Sequence, residues 1–228
     1  MSEVVVLLHG LARTHRSLRR LENALQRAGH RTWAGTYPSR ARGIGALAAE
    51  TAARIRAEAP AERYSAVTHS LGGILVRHMA ELLPWRRVVM IAPPNAGSRV
   101  GRVFREHPLY RWFYGPAGLD VTEAEAWPDP PGELCVIAGS RGLALSNPTS
   151  WVTHAARLFP PEEPSDGTVA VSETRHPRMS AFVEVDASHT LIMNHPRVIA
   201  STLGFLARGV DGVWTPDTQP TPHAAPDV

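Results

Sequence analysis

Short, nearly uninterrupted apolar runs alternate along the chain with longer stretches in which apolar residues recur every three or four positions. The runs are VVVLL (4–8), HRTWAGTYP (30–38), YSAVTH (64–69), RRVVMIAPP (86–94), ELCVIAG (133–139) and AFVEVD (181–186). Most are rich in Val, Ile or aromatic residues and are bounded by Gly, Pro or polar residues, the pattern of strands buried on both faces. Between them lie helical periodicities. THRSLRRLENALQRAG (14–29) carries Leu18, Leu21 and Leu25 on one face, with Gly29 placed to end the helix. GIGALAAETAARIRAEAP (43–60), LGGILVRHMAELLP (71–84) and a segment over about 190–207 follow. Strand–helix alternation from the first residues predicts an α/β domain over residues 1–210, a six-stranded, mostly parallel sheet with helices on both faces.

The pattern lapses twice. Residues 95–130, which include RVFREHPLYRWFYGPAG, are too long for a simple connection and are expected to form a lid-like insertion. The aromatic cluster LYRWFYG (109–115) reads either as a lid opening onto lipid or as core packing. The arginine interleaved in it, Arg111, favours a partly exposed lid and transient contact with a lipid surface. After Gly209 the Pro, Thr and Ala content cannot build a core, and residues 211–228 are expected to be a disordered tail.

Composition changes this picture little. At 228 residues and 43% hydrophobic, one domain can bury a full core. Lys+Arg number 24 against 21 Asp+Glu, and every basic residue of that set is arginine. The isoelectric point of about 9.6 would suit nucleic acid, but the arginines are scattered and no nucleic-acid motif is present, so none is expected as a partner. The single cysteine, Cys135, lies inside an apolar run; it excludes an intrachain disulfide and reads as a small core hydrophobe. No run approaches the ~18 apolar residues of a membrane helix. The start, MSEVVVLLHG, lacks a basic n-region and a cleavage site, so a cytoplasmic location is expected.

The chemistry is concentrated in AVTHSLGGILVRH (66–78). Ser70 falls where the third strand ends and the third helix begins, the edge at which ligands collect in parallel α/β sheets. The pattern is G-x-S-x-G with Thr68 in the first glycine position and Gly72 in the second, a tight turn that leaves little room for side chains two positions either side of the serine. Thr68 is bulkier than glycine, so the turn is expected to open slightly. A helix starting behind Ser70 would aim backbone N–H groups at a reacting centre. The alternative for such a serine is a plain helix N-cap. LLHGL (7–11) ends the first strand at the same edge. It is a setting for an oxyanion loop, with donors at the backbone N–H of Leu11 and of Leu71, Gly10 permitting close approach and His9 packing the loop.

A serine nucleophile needs a base, and there are 11 histidines. His189, in a loop after the last strand and before a helix, is placed for it. His195 is the rival, expected one or two turns into the last helix. His69 is expected to point to the other side of the strand, His78 lies on a helix, and His223 lies in the tail. For the acid, Asp166 in EEPSDGTVAVSE lies between Ser70 and His189 in the chain. Asp-Gly is otherwise merely a turn signal, here followed by a short β-like run. Asp186 sits too close to His189 on the strand to reach back, and Asp120 and Glu123 fall in the insertion.

HGL (9–11), THSLGG (68–73), IAPPNAGS (91–98), SDGTV (165–169) and SHTLIM (188–193) together make the chain resemble the α/β-hydrolase superfamily. More narrowly it is similar to compact bacterial lipases and esterases, including the branch related to the inositol-deacylase proteins. The resemblance implies a carboxylic-ester hydrolase with Ser70 as nucleophile, His189 as base and Asp166 as its partner, with Leu11 and Leu71 supplying oxyanion donors. His9, Gly10, Pro94 and Asn95 are expected at the substrate, Pro94 and Asn95 by the likeness of PPNAGS to an acyl-side segment. No metal or organic cofactor is implied, and the partner is a small-molecule ester or a lipid. Two of the family's strands would be missing, leaving a minimal six-stranded core; with Thr68 and a brief lid, this argues against efficient long-chain lipase action. An acyltransferase or thioesterase using the same three residues, or a non-catalytic binding protein on this fold, stays open.

Overall fold

The apolar runs pair into one sheet in the computed structural model, which describes residues 2–108, 115–117, 124 and 127–213. Its strands are β1 (Glu3–Leu8), β2 (Thr32–Ala34), β3 (Arg63–His69), β4 (Trp85–Ile91), β5 (Glu133–Gly139) and β6 (Met179–Val185). They lie in the order β2-β1-β3-β4-β5-β6, and every neighbouring pair is parallel. Successive side chains of a strand face opposite ways. Thus Val4, Val6 and Leu8 of β1 join one buried cluster, while Val5 and Leu7 join the other.

Helices cover both faces. α2 (Ile44–Glu58) and α3 (Leu71–His78) pack on the Val4 side, whereas α1 (Arg19–Arg27) and α7 (Pro196–Arg208) pack on the Val5 side. α1 has only nine residues, too few to hold a helix in water by propensity. Its place is held by Leu21 and Leu25, together with Leu18 from the 3₁₀ turn before it, all fully buried and each contributing roughly 1.5–3 kcal/mol. Cys135 lies within the same cluster, and burial raises its thiol to about 12. Among the described residues no helix is long and apolar enough to cross a membrane.

Several boundaries differ from those read off the sequence. α3 stops at His78 rather than running to Pro84, because the next residues tighten into i→i−3 bonds (Met79 to Val76, Ala80 to Arg77, Leu82 to Met79) that return the chain to β4. Three further helices occupy stretches expected to be irregular or extended: α4 (Arg99–Phe104), α5 (Pro148–Ala155) and α6 (Val171–Thr174). α4 lies inside the expected insertion and starts from Ser98, whose Oγ accepts from the Gly101 amide at 3.0 Å. The β-like run after Asp166 is one antiparallel bridge, Ser165 to Ala170, followed directly by α6. The aromatic cluster at 109–114, Asp120, Glu123 and residues 214–228 lie outside the described residues.

Sheet order decides where a ligand can sit. β1 leads through α1 to β2 on one side, and β3 leads through α3 to β4 on the other. The loops that follow β1 and β3 therefore part to opposite faces, opening a crevice at the carboxyl ends of two adjacent strands. Register aligns those ends, pairing Leu8 with Thr68 and His69 with Ile91.

α3 can start so close to β1 because Gly72 has no side chain: a Cβ there would stand 2.3 Å from the Leu8 carbonyl oxygen. Alanine is the better helix former by about 1 kcal/mol. At Gly72 the collision with backbone outweighs this, for a net loss on the order of 1–3 kcal/mol. Gly72→Ala is expected to lower the thermal midpoint by several degrees. Gly45→Ala in α2, where nothing lies within 4 Å of the added carbon, is expected to raise it; differential scanning calorimetry of the pair checks both signs.

Candidate active site

Ser70 closes β3 and caps α3 in a conformation that side chains avoid, with φ 52° and ψ −119°. The ladder to β4 holds it there, for the Ser70 amide donates to the Ile91 carbonyl at 2.9 Å. Thr68 is fully buried beside the turn, its Oγ1 3.5 Å from the Val89 carbonyl oxygen and at ordinary contact distance from where a Cβ on Gly73 would stand.

The turn carries Ser70 to a hydrogen-bonded chain. Its Oγ lies 3.1 Å from Nε2 of His189, and Nδ1 of His189 lies 2.6 Å from Oδ2 of Asp166. Since a carboxylate only accepts, Nδ1 carries the imidazole proton and Nε2 presents its lone pair to the serine hydroxyl. Asp166 is fully buried, and its other oxygen accepts from the amides of Thr168 at 3.0 Å and Val169 at 2.8 Å. Burying a carboxylate is tolerable only with such partners. The turn behind it requires Gly167, at φ 86°, where a Cβ would meet the Gly142 carbonyl at 2.1 Å. Gly139, ending β5, has a similar part, since a Cβ there would lie 2.9 Å from Cβ of Asp166. Asn147 supports the same loop, donating to the Asp166 carbonyl and to Thr168 Oγ1, both at 3.2 Å.

A cavity of about 750 Å³ opens over the serine, large enough for a drug-sized ligand. Gly10, Leu11, Leu71 and Pro94 line it. Leu71 is the first residue of α3, where an amide has no partner within its own helix. In the loop after β1, the amide of Ala12 is taken by Ser39 Oγ at 3.0 Å. His9 and Asn95, expected beside the substrate, do not line the cavity. His9 is fully buried behind the loop, stacked on Tyr37 with ring centroids 3.9 Å apart; Nδ1 donates to the Gly10 carbonyl and Nε2 accepts from the Tyr37 amide. Asn95 is turned inward, donating to the Thr174 carbonyl at 2.9 Å.

The other histidines and carboxylates find different employment. His195 precedes α7 as its cap rather than lying inside the helix, Nδ1 accepting from the Arg197 amide. Asp186 is exposed and pairs with Arg141 through both carboxylate oxygens. His69 is not turned away from His189: its Nε2 lies 3.1 Å from the His189 carbonyl. It continues the alternation of β3, facing the Val67 side of the sheet, and that is the side on which the His189 loop packs.

Sequence reading passed over one wall of the cavity. Asn147, Pro148, Thr149, Val152 and Thr153 belong to the start and face of α5. The Asn-Pro pair is a helix-start signal, proline being suited to the first helical position. Phe104 and His107, at and after the end of α4, form another wall. Among the described residues no group of three or more His, Cys, Asp or Glu side chains could hold a metal ion.

No protein-family description matches the chain, and no curated protein matches it in sequence. Solved structures do. The mature lipase BlEst2 of Bacillus licheniformis superposes with a TM-score of 0.68 at 16% identity, over 89% of this chain and 90% of that one. Against the propeptide form of that lipase the chain spans 47% of the length. The metagenomic carboxyl esterase MGS0156 gives 0.64 at 19% identity, over 92% and 76%. The type II thioesterase BorB of the borrelidin cluster gives 0.53 at 16%, over 93% of each. The chain has the α/β-hydrolase fold. Within the α/β-hydrolase fold, the Ser70 turn and the His189 loop occupy the carboxyl edge of the sheet described above.

Burial gives the site a pH signature in stability. His9 is pushed down from 6.5 to about 4, chiefly by desolvation, and His69 is held well below 6.5 for the same reason. The unfolded chain binds these protons at a higher pH than the folded one does. Stability is therefore fully present above about 6.5 and is lost as pH falls toward 4, by on the order of 3 kcal/mol for His9 alone. Urea unfolding at pH 7, 5.5 and 4.5 is expected to show the loss, with a shallower slope in His9→Gln.

Proposed function

We propose that the protein hydrolyses carboxylic esters by way of an acyl-serine. The observation that carries this reading is the chain Asp166–His189–Ser70, with spacings of 2.6 and 3.1 Å, at the floor of an open cavity. Ser70 Oγ attacks the ester carbonyl while His189 Nε2 takes its proton. Asp166 holds the ring in the tautomer that can do so and balances the imidazolium that forms. Backbone N–H groups of Leu71 and Leu11 take the developing oxyanion; one such donor is typically worth about 10²–10³ in rate. His189 then returns the proton to the leaving alcohol, and water activated by the same nitrogen releases the acid.

The narrower placement among compact bacterial lipases and esterases, on the inositol-deacylase-related side, rests on the sequence motifs. The lipase and esterase among the structural neighbours support ester chemistry in general. The thioesterase BorB supports the second reading, a thioester substrate attacked by the same serine. Among the described lining residues none carries a carboxylate, while Arg13 and His107 lie on the walls. A neutral or anionic substrate suits such a lining, and a cationic one does not.

Fluorophosphonate labelling read by intact mass is expected to modify the wild type once and Ser70→Ala not at all. With p-nitrophenyl esters, Asp166→Asn should lower kcat by about 10⁴. Thioester analogues of the preferred acyl group separate the two readings. A wild type that neither labels nor turns over any ester or thioester would sink both. Between matched esters, a choline leaving group is expected to give a lower kcat/KM than its neutral isostere.

A further inference from the structure

His69 has no part in the mechanism above, yet it is a completely buried imidazole in contact with the base. Nε2 lies 3.1 Å from the His189 main-chain oxygen, and a carbonyl only accepts, so Nε2 carries the proton. The rings of His69 and His189 stand 4.8 Å apart, tilted by 46°. The opposite nitrogen, Nδ1, has no hydrogen-bond partner among the described residues and faces the loop after β1: a Cβ on Gly10 would lie 2.9 Å from it. One ring thus touches the base loop on one edge and the candidate oxyanion loop on the other, immediately before the serine in the chain.

Besides the contact of its Nε2 with Ser70 Oγ, His189 is held at three points. Its amide donates to the Asp166 carbonyl at 3.0 Å, its side chain donates to the Asp166 carboxylate, and its carbonyl takes the His69 proton. The first two fix it to the acid loop. Only the third, among these bonds, fixes it to the strand that bears Ser70. We propose that His69 is a positioning residue, which sets the His189 ring against Ser70 and spaces the base loop from the Gly10 loop. This rests on the hydrolase reading for its kinetic consequence, though not for its geometry.

The ring must stay neutral to do this, since a second cation would repel the imidazolium formed at His189. Burial is the main cause holding it neutral; the charge of His189, whenever that ring is protonated, and the charge of Arg13 act in the same direction. Glutamine can place an N–H near the position of Nε2; leucine fills space and donates nothing.

The test compares wild type, His69→Gln and His69→Leu, with rates expressed per fluorophosphonate-titrated site so that misfolded protein does not count. His69→Leu is expected to lower kcat per site by roughly 10–100-fold, the scale of a misplacement of about 1 Å. KM should change far less, and His69→Gln should recover most of the loss. In the wild type, ¹⁵N-resolved NMR should show His69 as the neutral Nε2–H tautomer from pH 5 to 8. The low-field proton between His189 and Asp166 should move in His69→Leu and return in His69→Gln. A kcat per site within twofold of wild type in His69→Leu, or an Nδ1–H tautomer or a charged ring in that range, would overturn the proposal. If the wild type failed to label at all, the hydrolase reading would fall, while the NMR arms would still decide His69.

Discussion

Everything at the site depends on holding one residue of β3 where its backbone would rather not be. Ser70 has a positive φ without being glycine, a conformation that costs of order 1–3 kcal/mol. The parallel ladder to β4 and the bare backbone of Gly72 against Leu8 hold that conformation in place. In return the serine Oγ leaves the plane of the sheet and the first amides of α3 turn toward the same space. A side chain at Gly72 would move the helix, and with it both the hydroxyl and the amides.

Around that turn, burial sorts the polar groups by role. Asp166 is taken from water completely and is given two backbone amides and an imidazole N–H in exchange. His9 and His69 are taken from water with little that would favour their charged forms, and so they stay neutral. A buried neutral imidazole is a rigid donor and acceptor at neutral pH. His9 uses that to fasten the Gly10 loop to Tyr37, and His69 to fasten the His189 loop to β3. The acid sensitivity that results is the physical consequence of using desolvated histidines as structural parts.

Much of this was legible in one dimension, and the parts that were not share a cause. Continuous apolar runs revealed the strands because a strand covered on both faces has no polar side to show. Ser70 and His189 stood out because each occupies the loop after a strand, and Asp166 because it lies between them in the chain before Gly167; the structure brings the three into one hydrogen-bonded chain. α4, α5 and α6 were missed because they are short and weakly periodic, with only their caps, such as Asn147-Pro148, as a signal. His9, Asn95 and His69 were misplaced because each turns to a partner distant in the chain, Tyr37, Thr174 and His189 respectively, which sequence spacing does not report.

The sequence by itself determined the alternation of elements, the parallel sheet, and the residue types available at its carboxyl edge, since these follow from local patterning of apolar and polar positions. Tertiary structure alone decided the strand order that puts β1 beside β3 and so parts their loops into a crevice. It also decided that His9 and His69 are walled into the interior as neutral supports. Those outcomes rest on contacts between residues far apart in the chain, and on how much water each contact excludes, neither of which is written in any local stretch.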